Sequence, residues 1–464
     1  MPARSIHFVS LGCPKNRVDT EVMVGVASRT GYQTTDDAAE AHVIVVNTCG
    51  FIGEAKKESI QAIFELAEMK KHGACEKLVV TGCLSQRYPD ELAAQMVNVD
   101  HFLGSSDMLK LGKVLEGGAE RMLVGNPADW VVRASDPRVV TQSRTSAYVK
   151  IAEGCNRRCA FCTIPEFRGK QRSRPVDDIV REAEQLADQG IVELNLISQD
   201  TIAYGRDLRE PGTPARLADL VRRVADVQGI RWIRLFYLYP EAIDDELVEL
   251  LAHHPRVVPY VDMPLQHAAD AMLRRMRRGH GKDRQKRVVD GLRKAIPDLT
   301  FRTAFIVGHP GETDAEFEEL CEFVEWARFE HVGVFRYSDE ESATSFGFDA
   351  KVKPLVAANR YRRVMALQRR VARNANRARI GRELEVLVEG PSDEHEFVMK
   401  GRHRGQAPEI DGEVFLSGDE AEVGQFRRVK IVQASDYDLV GDLLPLAGET
   451  QKPKARRRVS LPML

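Results

Sequence analysis

Two sets of cysteines carry whatever chemistry this sequence performs. In "EGCNRRCAFCTIP", residues 153–165, Cys155, Cys159 and Cys162 are spaced C-x3-C-x2-C. Structural zinc takes four protein ligands, usually as two separated pairs. Three thiolates on one short loop suit a four-iron, four-sulfur cluster with one iron left open, and an open iron can bind a substrate or cofactor. The second set is scattered. Cys13 follows the apolar run of "SIHFVSLGC", Cys49 that of "AHVIVVNTCG", and Cys83 that of "KLVVTGCLS". Three strand-end coincidences point to a shared metal or cluster rather than to the ordinary burial of a small side chain. Cys75 and Cys321 lie in or beside helical stretches and read as core residues.

The elements that must position these thiols follow from periodicity. Helical stretches at 17–29 and 53–71 separate the three apolar runs, the second with Ile60, Ile63, Phe64, Leu66 and Ala67 on its apolar face. That order is β-α-β-α-β and implies a parallel sheet. Such sheets bind ligands beyond the carboxyl ends of their strands, where all three cysteines fall. After "NPADWVVRASDPRVVTQSR", a linker rich in Pro, Asp and Arg, strand-like runs at 148–154, 192–199, 232–239, 260–265, 300–307 and 331–337 alternate with helical ones. The helices are expected near 176–189, 214–227, 242–252, 283–295, 314–328 and 353–380. Six βα units suggest an incomplete barrel of six strands rather than eight. The loop trio follows its first strand. Ser198, Gln199 and Asp200 end the second, residues 237–239 the third, Gln266 and His267 the fourth, and "VGHPGET" the fifth. From about 384 to 444, short strands separated by Gly, Asp and Pro fit a small all-β barrel of the OB kind. The tail "GETQKPKARRRVSLPML" has no pattern and reads as disordered.

Size agrees with several domains. The chain has 464 residues, 43% of them hydrophobic, more than one core usually holds. A formal net charge of −2 gives the whole chain no electrostatic bias toward nucleic acid. No run of 18 apolar residues appears, and the apolar stretch at 6–11 is too short for a signal peptide. The expectation is a cytoplasmic protein. Thiols stay reduced there, so eight cysteines imply metal or catalysis rather than disulfides.

C-x3-C-x2-C after the first strand of a βα barrel, with Phe161 before the third cysteine, resembles the signature of the radical S-adenosylmethionine (SAM) superfamily. The resemblance implies that Cys155, Cys159 and Cys162 hold a [4Fe–4S] cluster whose open iron chelates the amino and carboxylate groups of SAM. Reductive cleavage of SAM would then give a 5′-deoxyadenosyl radical that removes a hydrogen atom from an unactivated C–H. With an N-terminal α/β domain and a small C-terminal barrel beside it, the chain is similar over nearly its whole length to the methylthiotransferases. That implies a second [4Fe–4S] cluster on Cys13, Cys49 and Cys83, with an open iron that holds the sulfur to be delivered. It implies a TRAM domain at the C-terminus and SAM used both as methyl donor and as radical source. "SLGCPKNRVDTE", "RLFYLYP" and "DMPLQH" resemble the branch that methylthiolates the β-carbon of an aspartate in the small-subunit ribosomal protein numbered twelve, turning C–H into C–S–CH3. The other branch performs the same chemistry on an adenosine of tRNA, and this is the alternative. The expected architecture is a multidomain α/β protein: a methylthiotransferase domain at 1–135, a radical SAM barrel at 141–380, a TRAM domain at 381–446 and a basic tail at 447–464. Expected partners are the ribosomal protein, free or within the ribosomal subunit, an electron donor such as flavodoxin or ferredoxin, and a sulfur donor.

Charge bears on the choice of substrate. Residues 381–446 hold fifteen acidic and seven basic residues, a balance of −8. A module that grips RNA backbone should be basic, whereas an acidic one attracts a basic protein. Against this, residues 359–380 and the tail are strongly basic. The helix at 359–380 also reads as a solvated face with Tyr361, Val364, Met365 and Leu367 turned inward. The resembled superfamily contacts the SAM amino group at the end of the second strand, which makes Gln199 and Asp200 candidates, and the pair reads equally as a helix cap for the following segment. Phe161 packs near the adenine or fills the barrel mouth. Arg302 pairs with SAM or forms a barrel-interior salt bridge. Thr313 reads as a helix cap. His267 and His309 are expected to be ordinary polar residues, and no general acid or base is expected, because radical abstraction needs none.

Overall fold

In the computed structural model, residues 4–141, 143–208, 216–241, 243–392, 398–417 and 421–445 are described. The expected tail at 447–464 lies outside them.

The N-terminal sheet is all-parallel, with Ser5–Ser10, Val43–Thr48 and Lys77–Gly82 as adjacent central strands. Both of its faces are covered, so its central strand "VIVVNT" is buried at every position. Helix Pro14–Arg29 lays Val22, Met23 and Val26 on one face. Helix Gly53–His72 lays Ile63 and Ala67 on the other. The expectation of three strands falls short. Two-residue pairings at Gln33–Thr34 and Met122–Leu123 and a three-residue one at His101–Leu103 extend the sheet to six strands. Elements that short carry no readable alternation. The first helix begins at Pro14 rather than 17, because proline is preset for the first helical turn.

The second sheet is parallel and has six strands in sequential order: Ser146–Lys150, Glu193–Ile197, Trp232–Leu235, Val257–Asp262, Thr300–Val307 and His331–Arg336. Leu194, Leu196, Ile233 and Leu235 face the outer helices. The alternating positions Tyr148, Ile197, Trp232, Phe236 and Tyr260 face inward, where Val18 of the N-terminal domain and Leu387 and Ala407 of the C-terminal one join them. The fourth strand runs over 257–262 instead of 260–265, and Pro264, which has no N–H to donate, lies just beyond its end. Helix Asp245–His253 starts three residues late because the Asp244 carboxylate caps it, accepting from Leu247 N–H at 2.9 Å. Helix Leu217–Ala225 is shorter than expected at both ends. Thr313 and Glu316 form the capping box of helix Asp314–Ala327. On helix Pro354–Arg377 the buried stripe is Ala357, Arg360, Val364, Gln368, Ala372 and Asn376. Tyr361, expected inside, is one residue off that stripe and 36% exposed.

The C-terminal strands Glu383–Pro391, Met399–His403, Val414–Ser417, Phe426–Ala434 and Leu439–Leu443 close into a barrel around Val386, Val388, Val414, Leu416, Val429 and Ile431. It docks where the parallel strands begin. Glu193, the first residue of the second strand, accepts from Arg234 at 3.0 Å and from Arg402 at 2.5 Å, with all three side chains buried. The stretch read as a linker is tied down as well. Val132 is buried, and Arg138 joins Glu21 of the first helix to Glu182 of the barrel.

Candidate functional site

The loop trio sits where the first barrel strand turns over. Gly154 has φ +82, and a Cβ there would overlap the Lys170 carbonyl, so only glycine allows this approach. Cys155 N–H donates to Gly169 O at 3.1 Å, and Cys162 N–H to Cys159 O at 3.1 Å, which folds the loop on itself. Donors already face two of the thiols: Arg157 N–H lies 3.4 Å from Cys155 Sγ, and Arg278 Nη1 lies 3.4 Å from Cys159 Sγ. Arg157 and Arg278 stack over the Tyr239 ring, at 3.4 and 4.1 Å from its centroid. Burial pushes Cys155 up to about 11 and Cys162 up to about 12, and neighbouring thiols add to both shifts.

Cys13, Cys49 and Cys83 lie just past three adjacent strands, and close packing of glycines brings their loops together. A Cβ on Gly12 would sit 2.8 Å from Cys49 Cβ, and one on Gly50 would sit 2.7 Å from the Cys83 carbonyl carbon. Burial pushes Cys49 up to about 11, helped by Cys13. It pushes Cys83 up to about 12, where Arg168 opposes the rise while Cys13 and Cys49 add to it. Among the described residues no three His, Cys, Asp or Glu side chains close around a single metal ion. A cluster asks for a different arrangement, since each of its cysteines binds a separate iron and the thiols ring a volume. Two groups of thiols, from buried Cys83 and Cys155 to exposed Cys13, each with one member facing a guanidinium, are a donor set that fits such a guest: the cluster would draw off their protons, and the hydrogen bonds would remain on sulfur.

Between the trios lies a buried network that the sequence reading missed. Arg168, on the short helix Ile164–Arg168 that follows the loop trio, reaches across the domain boundary. Its Nε lies 3.2 Å from Cys83 Sγ, Nη2 donates to Asn16 Oδ1 at 2.6 Å, and Nη1 donates to Asp19 Oδ2 at 2.8 Å. Lys150 donates to Asp19 at 2.7 Å and pairs with Glu153. Burial alone would raise the Glu153 carboxyl, but Lys150 and Arg168 hold it at about 2. The available signal was polarity in the wrong register: Asn16 and Asp19 share one helical face, and Lys150 ends an otherwise buried strand.

The other expected residues fall as follows. Gln199 donates to Glu153, and its buried Oε1 has no partner. Asp200 makes no cap bond; it binds Arg157 at 2.6 Å instead. Phe161 packs against Ala269, Met272 and Met276, filling the barrel mouth. Arg302 takes up the salt-bridge reading, with Asp262 at 3.3 Å and Asp411 of the C-terminal barrel at 3.5 Å. His267 faces Glu312, and His309 faces Ser345, so both have ordinary polar partners. Cys75 and Cys321 are buried as expected.

Three family models match parts of the chain. Residues 149–324 match the radical SAM superfamily, residues 5–104 the uncharacterized protein family UPF0004, and residues 380–444 the TRAM domain. The chain is 68% identical to the ribosomal protein uS12 methylthiotransferase RimO of Sorangium cellulosum, over 100% of this chain and 98% of that one. It is 48% identical to the protein of the same name from Myxococcus xanthus, over 98% and 94%. Among solved structures, the radical SAM methyltransferase TsrM of Kitasatospora setae has the same fold over 72% of this chain and 75% of its own, at 15% identity and a TM-score of 0.52.

Proposed function

The chain belongs to the ribosomal protein uS12 methylthiotransferase RimO family, and from that premise we propose how its parts divide the work. It is a radical SAM enzyme that uses an iron–sulfur cluster and SAM to methylthiolate ribosomal protein uS12. The target assigned is the β-carbon of an aspartate. Cys155, Cys159 and Cys162 would hold the cluster that cleaves SAM, and Cys13, Cys49 and Cys83 a second one that carries the sulfur. When bound, the clusters and SAM together supply an electron, a radical, a sulfur atom and a methyl group.

The chain's own residues bind and orient. Gln199 offers its unpaired Oε1 to the SAM amino group, and Phe161 closes the mouth beside it. Asp200 keeps Arg157 over Tyr239 and so fixes the wall of the loop trio. Arg278 borders an open cleft with Arg274, Arg277 and His280, and its bond to Cys159 Sγ makes that cleft the natural approach for an acidic electron donor. A separate sulfur donor would replenish the second cluster. The acidic C-terminal barrel favours a basic protein over RNA, the more so because two of its arginines, Arg402 and Arg427, are buried. Much of the basic helix is neutralised by Glu318, Glu325 and Asp436, which weakens it as an RNA contact.

The observation that carries this reading is the buried network Asn16–Asp19–Lys150–Glu153–Arg168, which runs from Cys83 of the strand-end trio to the strand and short helix that flank the loop trio. The test is anaerobic: reconstitute the clusters, add SAM and a strong reductant, and offer the aspartate loop peptide and unmodified tRNA separately. A methylthio adduct on the peptide alone, seen by mass spectrometry, is expected. An adduct on tRNA alone would overturn the substrate.

A further inference from the structure

Lys15 has no evident reason to be where it is. Its side chain is buried to 7% exposure, yet among the described residues no carboxylate lies within ion-pairing distance of it. It sits in the first turn of helix Pro14–Arg29, the positive end of the helix dipole, and that turn contains no acidic residue. A buried ammonium at a positive helix end is doubly unfavourable unless an anion joins it. The nearby carboxylates are already committed: Glu153 to Lys150 and Arg168, and Asp262 to Arg302 and the Tyr237 N–H.

What Lys15 does have is a platform. Its Nζ stands 3.2 Å from the centroid of the Tyr237 ring. Tyr237, two residues past the third barrel strand, is in a left-handed conformation, φ 60, which a bulky side chain adopts only when its surroundings enforce it. The enforcing contact is Asp262 Oδ2, 3.0 Å from the Tyr237 N–H. Two residues before Lys15 is Cys13 of the strand-end trio, and the ring under its ammonium belongs to the barrel that carries the loop trio. The ammonium therefore stands where the N-terminal domain meets the barrel. The space it borders is not sealed, because Tyr237 and Arg302 both keep partial exposure.

We propose that Lys15 is the specificity residue that receives the side-chain carboxylate of the substrate aspartate, with the Tyr237 ring holding the ammonium in place. This rests on the reading of an aspartate as the modified residue. A carboxylate on Lys15 Nζ places the adjacent β-carbon one bond away, so a single ion pair both selects the residue and presents its C–H. Asparagine, of the same shape but neutral, leaves the ammonium without its charge partner.

The experiment uses the reconstituted holoenzyme and two labelled loop peptides, identical except for aspartate or asparagine at the target position. Anaerobic fluorescence anisotropy measures their binding, and mass spectrometry measures their modification. Wild-type enzyme should bind the aspartate peptide on the order of 100-fold more tightly than the asparagine one. Lys15→Met should bind both equally and weakly, with its iron content unchanged, and Lys15→Arg should recover part of the preference. Wild-type enzyme that does not discriminate overturns the proposal without any variant being needed. So does a Lys15→Met enzyme that keeps the preference while its SAM affinity or cluster spectrum changes, since Lys15 would then serve SAM or balance the charge of the second cluster. Wild-type enzyme that modifies neither peptide overturns the substrate reading, and the Lys15 assignment falls with it.

Discussion

The two thiol trios are the same three side chains delivered in opposite ways. Cys155, Cys159 and Cys162 lie within eight residues on one loop, so local backbone bonds shape their site. Cys13, Cys49 and Cys83 span seventy-one residues and meet only because three parallel strands lie side by side in register. A loop site depends on a turn, whereas a strand-end site depends on a whole sheet. The difference teaches where each is vulnerable: the first to a change within the loop, the second to anything that shifts a strand or loosens the joint with the barrel.

The sharpest way to break the comparison is to remove one ligand from each side. Cys155→Ala is expected to bring SAM cleavage down to background, as judged by 5′-deoxyadenosine in a chromatographic assay. Cys83→Ala should leave cleavage intact and stop methylthio transfer. If Cys83→Ala still modified the peptide, the strand-end trio would have no role in sulfur delivery.

Arg168→Met tests the joint. It leaves Lys150 as the remaining cation on buried Asp19 and Glu153 and takes the guanidinium from Cys83. Breaking a buried ion pair on one side costs about 3–5 kcal/mol. Denaturant unfolding should register that loss, and iron analysis should show the strand-end site losing metal before the loop site does.

Glu193→Ala tests the attachment of the C-terminal barrel, far from both trios. It leaves Arg234 without a carboxylate and Arg402 with Glu389 alone, again at a cost of about 3–5 kcal/mol. Burial would raise the Glu193 carboxyl, but Arg402 and Arg234 outweigh it and hold it below the ordinary 4.5. A depressed carboxyl stabilises the fold above its unfolded value and loses that contribution as pH falls. Limited proteolysis should therefore find the C-terminal barrel loosening below about pH 4.5 in the wild type, and SAM cleavage measured at neutral pH should change little in a Glu193 variant that stays folded. The smallest effect is expected at Arg223, whose pair with Asp177 is solvent-exposed. Arg223→Ala should change stability by less than about 0.5 kcal/mol in the same unfolding assay.

The same contrast explains what could be read in advance. Spacing alone exposed the loop trio, because its ligands are sequence neighbours. The strand-end trio became legible through the apolar runs before each cysteine, since βα alternation fixes the end at which a loop emerges. The six barrel strands were legible too, although the first runs over 146–150 rather than 148–154, the third ends at 235 rather than 239, and the fourth lies at 257–262. Arg168, Lys150 and Asp19 were not legible. Their partners are up to one hundred and fifty residues away, and a polar residue in an apolar register announces burial without naming its partner. Arg302 shows the same limit: a salt bridge was legible from its type and strand position, but its partner from another domain, Asp411, was not.

The charge network at the N-terminal joint also limits how such proteins can be recombined. A domain that donates only apolar surface can be exchanged for any other of similar shape. Here the graft would have to bring a carboxylate at Asp19 to meet Lys150, an amide at Asn16 to meet Arg168, and a thiol at Cys83 under the same guanidinium. A chimera that mismatched even one of these would bury an orphan charge beside its own cofactor. The seam between the N-terminal domain and the barrel is thus a lock with several wards, and the two halves are expected to have changed together during descent or not at all.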